Sequence, residues 1–219
     1  MYLTPLRRCV GATSYTPGHV VEGIAVEDPT GIAALTEILP ADLGADEEID
    51  WSAAEARWGT RFPRDYMAFM SVYGAGSFDE VVILMPLPKE YIQWDPGTFE
   101  EETENARYTW EMLGGQEGLD IDPDHILAWG VTSGSDILCW LTTDPDPDQW
   151  PVLVCGRHTR EDFTLFPCGM VEFLRRLLLD EYDPYPLSID LRAASPRYVH
   201  WLEEQKRWKA GLDPASGLP

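Results

Sequence analysis

The sequence predicts an α+β fold in which helices flank a mostly antiparallel central sheet. Two observations lead to this prediction. Segments with apolar residues three and four positions apart occur before residue 115 and again after residue 169, as in amphipathic helices. Between them lie short apolar runs separated by Gly/Ser and Asp/Pro turns, which is typical of antiparallel strands in a meander.

The first elements with clear start and stop signals are two helices after residue 50. The capping-box pattern Ser52-x-x-Glu55 predicts a short helix that ends near Gly59. Pro63 at a first helical position predicts a second helix, which Gly74 ends in the left-handed conformation. The apolar face of this second helix is formed by Tyr66, Phe69, Met70 and Tyr73.

The middle of the chain predicts one strand and a third helix. The run Val81–Leu87 is rich in β-branched residues and is closed by prolines, so it is expected to be a buried strand. The third helix starts at Thr98, with Glu101 three residues later, and Gly114-Gly115 ends it.

The second half predicts the remaining strands and two helices. The strands are expected at 126–129, 137–141, 150–155 and 163–166, followed by a helix over 170–179. A last, basic amphipathic helix is expected from Ser195-Pro196 through Trp208. These elements suggest an N-terminal extension over 1–45, a main domain over 46–182 and a C-terminal extension over 183–219.

Charge restricts the partners of this chain. The 219 residues include 38 Asp and Glu against 16 Lys and Arg, a net charge of −22. Nucleic acids and anionic membranes need a basic protein surface, so we expect no nucleic acid and no membrane partner. A hydrophobic fraction of 44% rules out the weakly hydrophobic, highly charged class that stays disordered. We therefore expect a basic protein as the partner of this acidic chain.

The sequence contains no signal for export. The N-terminus lacks an apolar run of signal-peptide length, and the longest apolar run has seven residues, far short of the ~20 that cross a bilayer. The four cysteines form no C-x-x-C pair, and Cys139 and Cys155 lie within apolar strands. We therefore expect a soluble, cytoplasmic protein with reduced thiols.

Known catalytic and metal-binding patterns are missing from the sequence. The four histidines lie in no zinc-binding spacing, and no G-x-S-x-G is present. We therefore predict no catalytic residue, no metal and no cofactor. An enzyme remains the alternative if His125 or His158 were to meet a buried carboxylate in a pocket.

Two acidic clusters are candidate binding residues. Asp144, Asp146 and Asp148 alternate like the start of a calcium loop, but Gln149 and Cys155 stand where that loop needs Gly and Glu. A solvated loop between strands is the alternative. The second cluster contains Glu100, Glu101, Glu102 and Glu104 within a stretch, 90–124, of eleven acids and one base. Solubility alone could explain these acids, as could a docking surface for a basic protein.

An ordered set of residues resembles the SUKH superfamily, which includes a fungal regulator of cell-wall assembly and many bacterial immunity proteins. The resemblance covers about residues 48–182. Its first part is Trp58-Gly59-x-x-Phe62-Pro63-x-Asp65-Tyr66-x-x-Phe69-x-x-x-Tyr73-Gly74-x-Gly76. Its second part comprises Ala128-Trp129-Gly130, Cys139-Trp140, Trp150-Pro151-Val152 and Gly169-Met170-x-x-Phe173-Leu174.

The resemblance implies a binding protein with an α+β fold and no shared catalytic residue. Bacterial relatives neutralise toxins, often nucleases or deaminases, by binding them. The expected function is therefore immunity against a basic toxin, with the acidic clusters steering the toxin and exposed aromatics, Trp94 or Phe99, anchoring it. A regulatory or scaffold protein with an endogenous partner is the alternative.

Overall fold

The computed structural model describes residues 28–87, 97–192 and 196–219. These residues form six α-helices and seven β-strands. The helices are α1 Ile32–Ile38, α2 Trp51–Trp58, α3 Arg64–Val72, α4 Phe99–Leu113, α5 Met170–Leu178 and α6 Trp201–Lys209. The strands are β1 Gly76–Phe78, β2 Val81–Ile83, β3 Ile126–Thr132, β4 Ile137–Leu141, β5 Val152–Cys155, β6 Phe163–Phe166 and β7 Tyr198–His200.

The strands of the described residues make one antiparallel sheet in the order β6-β5-β4-β3-β2-β1-β7. The predicted α+β class is therefore confirmed. Strands β1 to β6 join neighbours in chain order, whereas β7 returns from the far end of the chain to pair with β1. A register shift between Ala128 and Gly130 marks a bulge in β3.

Both faces of the sheet are apolar, and alternate residues of each strand supply them. One face, with Trp129 and Trp140, packs with α1, α2, α3 and α5 in the larger core. The other face, with Ala128 and Cys139, packs under α4 around Trp110. Cys155 also lies in this second core, so the predicted burial of both strand thiols is confirmed, and burial raises their pKa values. Helix α4 contacts β3 and β4.

Local capping signals explain most helix ends. Thr98 and Glu101 form the predicted capping box of α4, and Gly59, Gly74 and Gly114 have positive φ at or just after helix C-termini. The predicted capping box of α2 is wrong. Asp50 caps this helix instead, because its carboxylate accepts a hydrogen bond from the backbone N–H of Ala53 at 3.0 Å.

Helix α5 is capped by a residue from another helix. Asp65 of α3 accepts a hydrogen bond from the N–H of Val171 at 3.1 Å. Its carboxylate lies so close to Gly169 that a Cβ on this glycine would be 2.6 Å from Oδ2. Asp65 is partly buried, and burial raises the pKa of its carboxyl group.

A fully buried aspartate joins three segments beside the sheet. Asp136, in the turn between β3 and β4, accepts hydrogen bonds from Thr132 Oγ1, from the backbone N–H of Arg157 and from both the N–H and the hydroxyl of Ser188, at 2.8–3.0 Å. Thr132 and Arg157 lie in the sheet and its last hairpin, whereas Ser188 belongs to the chain after α5. Asp136 therefore fixes that chain segment against the end of the sheet.

The structure corrects several of the predicted elements. The strand predicted over 81–87 ends at Ile83. Strands β1 and β7 were not predicted, and the last helix begins at Trp201 because the residues before it join the sheet. The domain limits at 46 and 182 stay a prediction, and α1 packs on α5 while β7 pairs with β1. Among the described helices, none has the length and apolar character to cross a membrane.

Candidate protein-binding surface

An open groove of about 970 Å³ lies on the α4 side of the sheet, between α4 and α6. We refer to it as the α4–α6 groove. Its floor is a row of side chains that the strand register places side by side across five strands. In order from β1 to β5, the row consists of Ser77, Val82, Val131, Ile137 and Cys155. The floor is therefore mostly apolar.

The two helices that wall the groove carry large exposed side chains. On α4, Tyr108 and Leu113 line the groove and are 63% and 51% exposed. On α6, Trp208 lines it and is 62% exposed, and Trp201 lies two helical turns before it. Exposed aromatics beside an apolar floor are typical of protein-binding surfaces.

Carboxylates outnumber bases around the groove. Among the residues that the structure describes, five acids line it, against one base, Arg157. The acids come from the two hairpin turns and the two helices, and they are Asp79, Glu80, Glu102, Asp162 and Glu204. The groove is therefore an acidic, partly apolar surface.

Two of these acids are partly withdrawn from water. Burial raises the pKa of Glu204, although the Ser77 hydroxyl donates a hydrogen bond to it. Burial and the neighbouring Glu80 raise the pKa of Asp79. Both groups therefore take up protons more readily than an exposed carboxylate, so acidification reduces the negative charge of the groove.

The α6 wall is held in place by a buried pair. His200 Nδ1 accepts the N–H of Leu202 at 3.2 Å and so caps α6, which leaves the proton on Nε2. Nε2 lies 3.0 Å from a carboxylate oxygen of Glu47, which also accepts the indole N–H of Trp201 at 2.9 Å. Both His200 and Glu47 are buried, so this network fixes α6 against the body of the sheet.

The predicted glutamates of α4 have different roles. Glu102 lines the groove. Glu100 forms an ion pair with Arg57, and Glu101 closes the capping box by accepting the N–H of Thr98 at 3.0 Å. Glu104 is exposed. Of this cluster, only Glu102 belongs to the groove, and whether the others bind a partner stays a prediction.

The aspartates of the loop before β5 are turn caps. Asp144 accepts the N–H of Asp146 at 2.8 Å, and Asp146 accepts the N–H of Asp148 at 3.3 Å. Asp148 accepts the backbone N–H of Arg64 at 2.8 Å and also pairs with its guanidinium. These contacts order the loop against the start of α3, and a binding role for its carboxylates stays a prediction.

One of the two proposed aromatic anchors is buried. Phe99 is 3% exposed, and its ring lies 4.9 Å from that of Trp58 in the larger core. The expectation that Phe99 is an exposed anchor is therefore wrong, because the first turn of α4 is directed into the aromatic core. Trp94 lies outside the described residues.

The histidines singled out for catalysis are at the surface. His125 and His158 are both exposed, and the buried histidine–carboxylate pair in the described residues is His200 with Glu47, whose atoms cap and hold α6. In the described parts of the chain, no group of three or more His, Cys, Asp or Glu side chains is arranged to hold a metal ion. The arrangement here is suited to binding a protein.

Residues 48–174 match the SUKH_6 family, described as SMI1-KNR4 cell-wall. The match covers more than half of the chain, from before α2 to the middle of α5. The chain belongs to the SUKH family. Membership supports a protein-binding domain. Comparison with curated proteins gave no match, and neither did comparison with solved structures.

The SUKH match includes one wall of the groove and leaves out the other. Helix α4 and strands β1 to β6 fall within 48–174, whereas β7 and α6 follow it. Sequence reasoning missed the α6 wall, although Trp201, Glu204, Gln205 and Trp208 have the i, i+3, i+4, i+7 spacing of one helix face. This spacing was the signal that could have revealed it.

Proposed function

We propose that this SUKH protein is a cytoplasmic immunity protein that binds a basic toxin, of the nuclease or deaminase class, and neutralises it without catalysis. Family membership supports the binding role. The observation that favours a basic toxin is the excess of carboxylates around an open groove whose rims carry exposed aromatics. A nuclease needs basic residues to hold its polyanionic substrate, so an acidic inhibitor complements the surface that it must block.

Charge and aromatic side chains would contribute at different stages of binding. The net charge of −22 raises the rate of encounter with a basic protein by about 10–10³ at low salt. Tyr108 and Trp208 supply large apolar areas that are exposed before binding and can be buried by it. The encounter rate should therefore depend on salt, and the lifetime of the complex on the aromatic contacts.

A regulatory protein with an endogenous partner is the second candidate. The observation that favours it is the family description, which refers to the cell wall. The same acidic groove would then bind a basic region of a cellular protein. The two candidates differ in what the cell loses when the protein is deleted.

The experiment is a deletion in the native host, with and without any toxin gene that is encoded beside it. Immunity predicts loss of viability only when an active toxin is present, and a toxin with an inactivated catalytic residue is the matched control. A growth or cell-wall defect without any toxin would favour regulation. If neither defect appears and the purified protein leaves the toxin active, the immunity proposal is refuted.

Contact residues can then be tested on the purified pair. Replacing Glu100, Glu101 and Glu102 together with Lys should slow association and weaken its dependence on salt, because each reversal removes attraction for a basic partner. Stopped-flow association at several salt concentrations measures this. Unchanged association kinetics would remove this cluster from the binding surface.

A further inference from the structure

We infer that the α4–α6 groove binds a short extended segment of the partner protein that alternates basic and aliphatic side chains. This inference rests on the proposed function only in that the occupant belongs to a protein. It assigns that occupant a chemistry and a position, which the family match does not do. The α6 wall lies outside the matched residues, so the family match does not describe the complete groove.

The dimensions of the floor favour an extended segment. The row from Ser77 to Cys155 crosses five strands, and neighbouring strands lie about 4.8 Å apart, so the row is about 19 Å long. An extended chain rises about 3.3 Å per residue, so five or six residues span the row. A groove of about 970 Å³ with helices on both sides is deep enough to hold their side chains.

The alternation of chemistry follows from the lining. The floor presents the aliphatic side chains of Val82, Val131 and Ile137, which suit aliphatic side chains of the occupant. Carboxylates lie in the β1–β2 and β5–β6 turns and on both helices, where basic side chains that point away from the floor would meet them. In an extended chain successive side chains point in opposite directions, so one face can be aliphatic and the other basic.

An exposed aromatic residue favours basic over neutral polar side chains. Tyr108 lies on the α4 wall, and a Lys or Arg side chain above its ring gains a cation–π contact in addition to its attraction to the carboxylates. Among the described residues that line the groove, Arg157 is the single base, and it repels a basic occupant less than the five carboxylates attract one. Charge complementarity therefore selects a cationic segment.

The test uses the full-length protein and a fluorescein-labelled decapeptide of alternating Lys and Val, with an alternating Glu and Val decapeptide as the reverse-charge probe. Fluorescence anisotropy at physiological salt measures binding. Binding of the Lys peptide and not of the Glu peptide is expected. Val82→Trp, which fills the floor between Ser77 and Val131, should weaken binding about tenfold, and Tyr108→Ala about fivefold.

A matched pair of charge reversals separates the groove from bulk attraction. Glu80→Lys and Glu111→Lys change the net charge equally, and both residues are exposed, but only Glu80 lines the groove. Glu80→Lys should weaken peptide binding about fivefold and Glu111→Lys less than twofold. Circular dichroism measures whether each variant folds. If Val82→Trp does not fold, Tyr108→Ala takes its place in the test, because Tyr108 is largely exposed.

The inference fails if the unmodified protein does not bind the Lys peptide, if Glu111→Lys weakens binding as much as Glu80→Lys, or if neither Val82→Trp nor Tyr108→Ala weakens it. None of these outcomes bears on immunity itself. A variant that no longer binds the peptide but still protects cells from the toxin would place the toxin elsewhere and leave the proposed function intact. Loss of protection together with peptide binding supports both.

Discussion

Replacing Asp136 with Asn should destabilise the protein strongly although the two side chains have the same shape. The carboxylate is fully buried and accepts four hydrogen bonds at 2.8–3.0 Å from Thr132, Arg157 and Ser188. An amide has one acceptor oxygen, so its NH₂ group must face at least one of these donors. Each lost hydrogen bond to a charged group costs about 1.5–3 kcal/mol, and we expect a total loss of about 3 kcal/mol.

Reversible urea unfolding followed by tryptophan fluorescence measures this loss, and thermal unfolding should show a fall in Tm of about 6–12 °C for a chain of this size. The control is Asp124→Asn, because the Asp124 side chain is 88% exposed and the change should cost under about 0.5 kcal/mol. Equal effects of the two variants would refute the structural role of Asp136. A double-mutant cycle with Ser188→Ala should also show a coupling energy of about 1 kcal/mol.

Three further variants test the α6 wall and the turn beneath it. Glu47→Gln should cost about 2 kcal/mol and speed hydrogen exchange in α6, since the carboxylate that accepts from His200 is replaced. Gly74→Ala should cost at least about 2 kcal/mol more than Gly59→Ala in urea unfolding. Both glycines have φ +67, but only at Gly74 would the Cβ lie 2.6 Å from a backbone oxygen. Glu204→Gln should flatten the pH dependence of stability. Because the pKa of Glu204 is raised, the folded state binds more protons than the unfolded chain. The wild type therefore loses stability as the pH rises from 4.5, the ordinary pKa of a glutamate, through the raised pKa. An equal pH slope in the two proteins would contradict this.

The parts of the fold that the sequence predicted well are those set by neighbouring residues. The capping box at Thr98 and the left-handed stop at Gly74 depend on interactions within a few residues, and the strand at Ile137–Leu141 forms a hairpin with the strand just before it; all three are observed. Strand β7 could not be predicted in this way. It has three residues, it runs directly into α6, and it is a strand because β1, more than one hundred residues earlier, supplies its hydrogen bonds.

The candidate site was harder to predict than the fold, because a groove is formed by elements distant in sequence. Acidic clusters are visible in a sequence, but their partners are not. Glu100 meets Arg57, and Asp148 meets Arg64, across a fold that brings α2 and α3 beside both clusters. Phe99, at the start of α4, also points into the core, because the fold brings Trp58 of α2 beside it. Sequence reasoning therefore identified the charge of the surface more reliably than its location.

The net charge of −22 combines carboxylates with two different physical roles. Asp136 and Glu47 are buried and Asp65 is partly buried, and all three accept hydrogen bonds from backbone or ring N–H groups, so their charge is used within the fold. Glu80 and Asp162 are exposed at the groove, so their charge is available to a partner. Amide substitution separates the two roles. In the first group it should lower stability with little direct effect on encounter rates, and in the second it should lower encounter rates with little effect on stability. An acidic sequence alone therefore cannot locate an interface, whereas the burial of each carboxylate shows which charges are used within the fold.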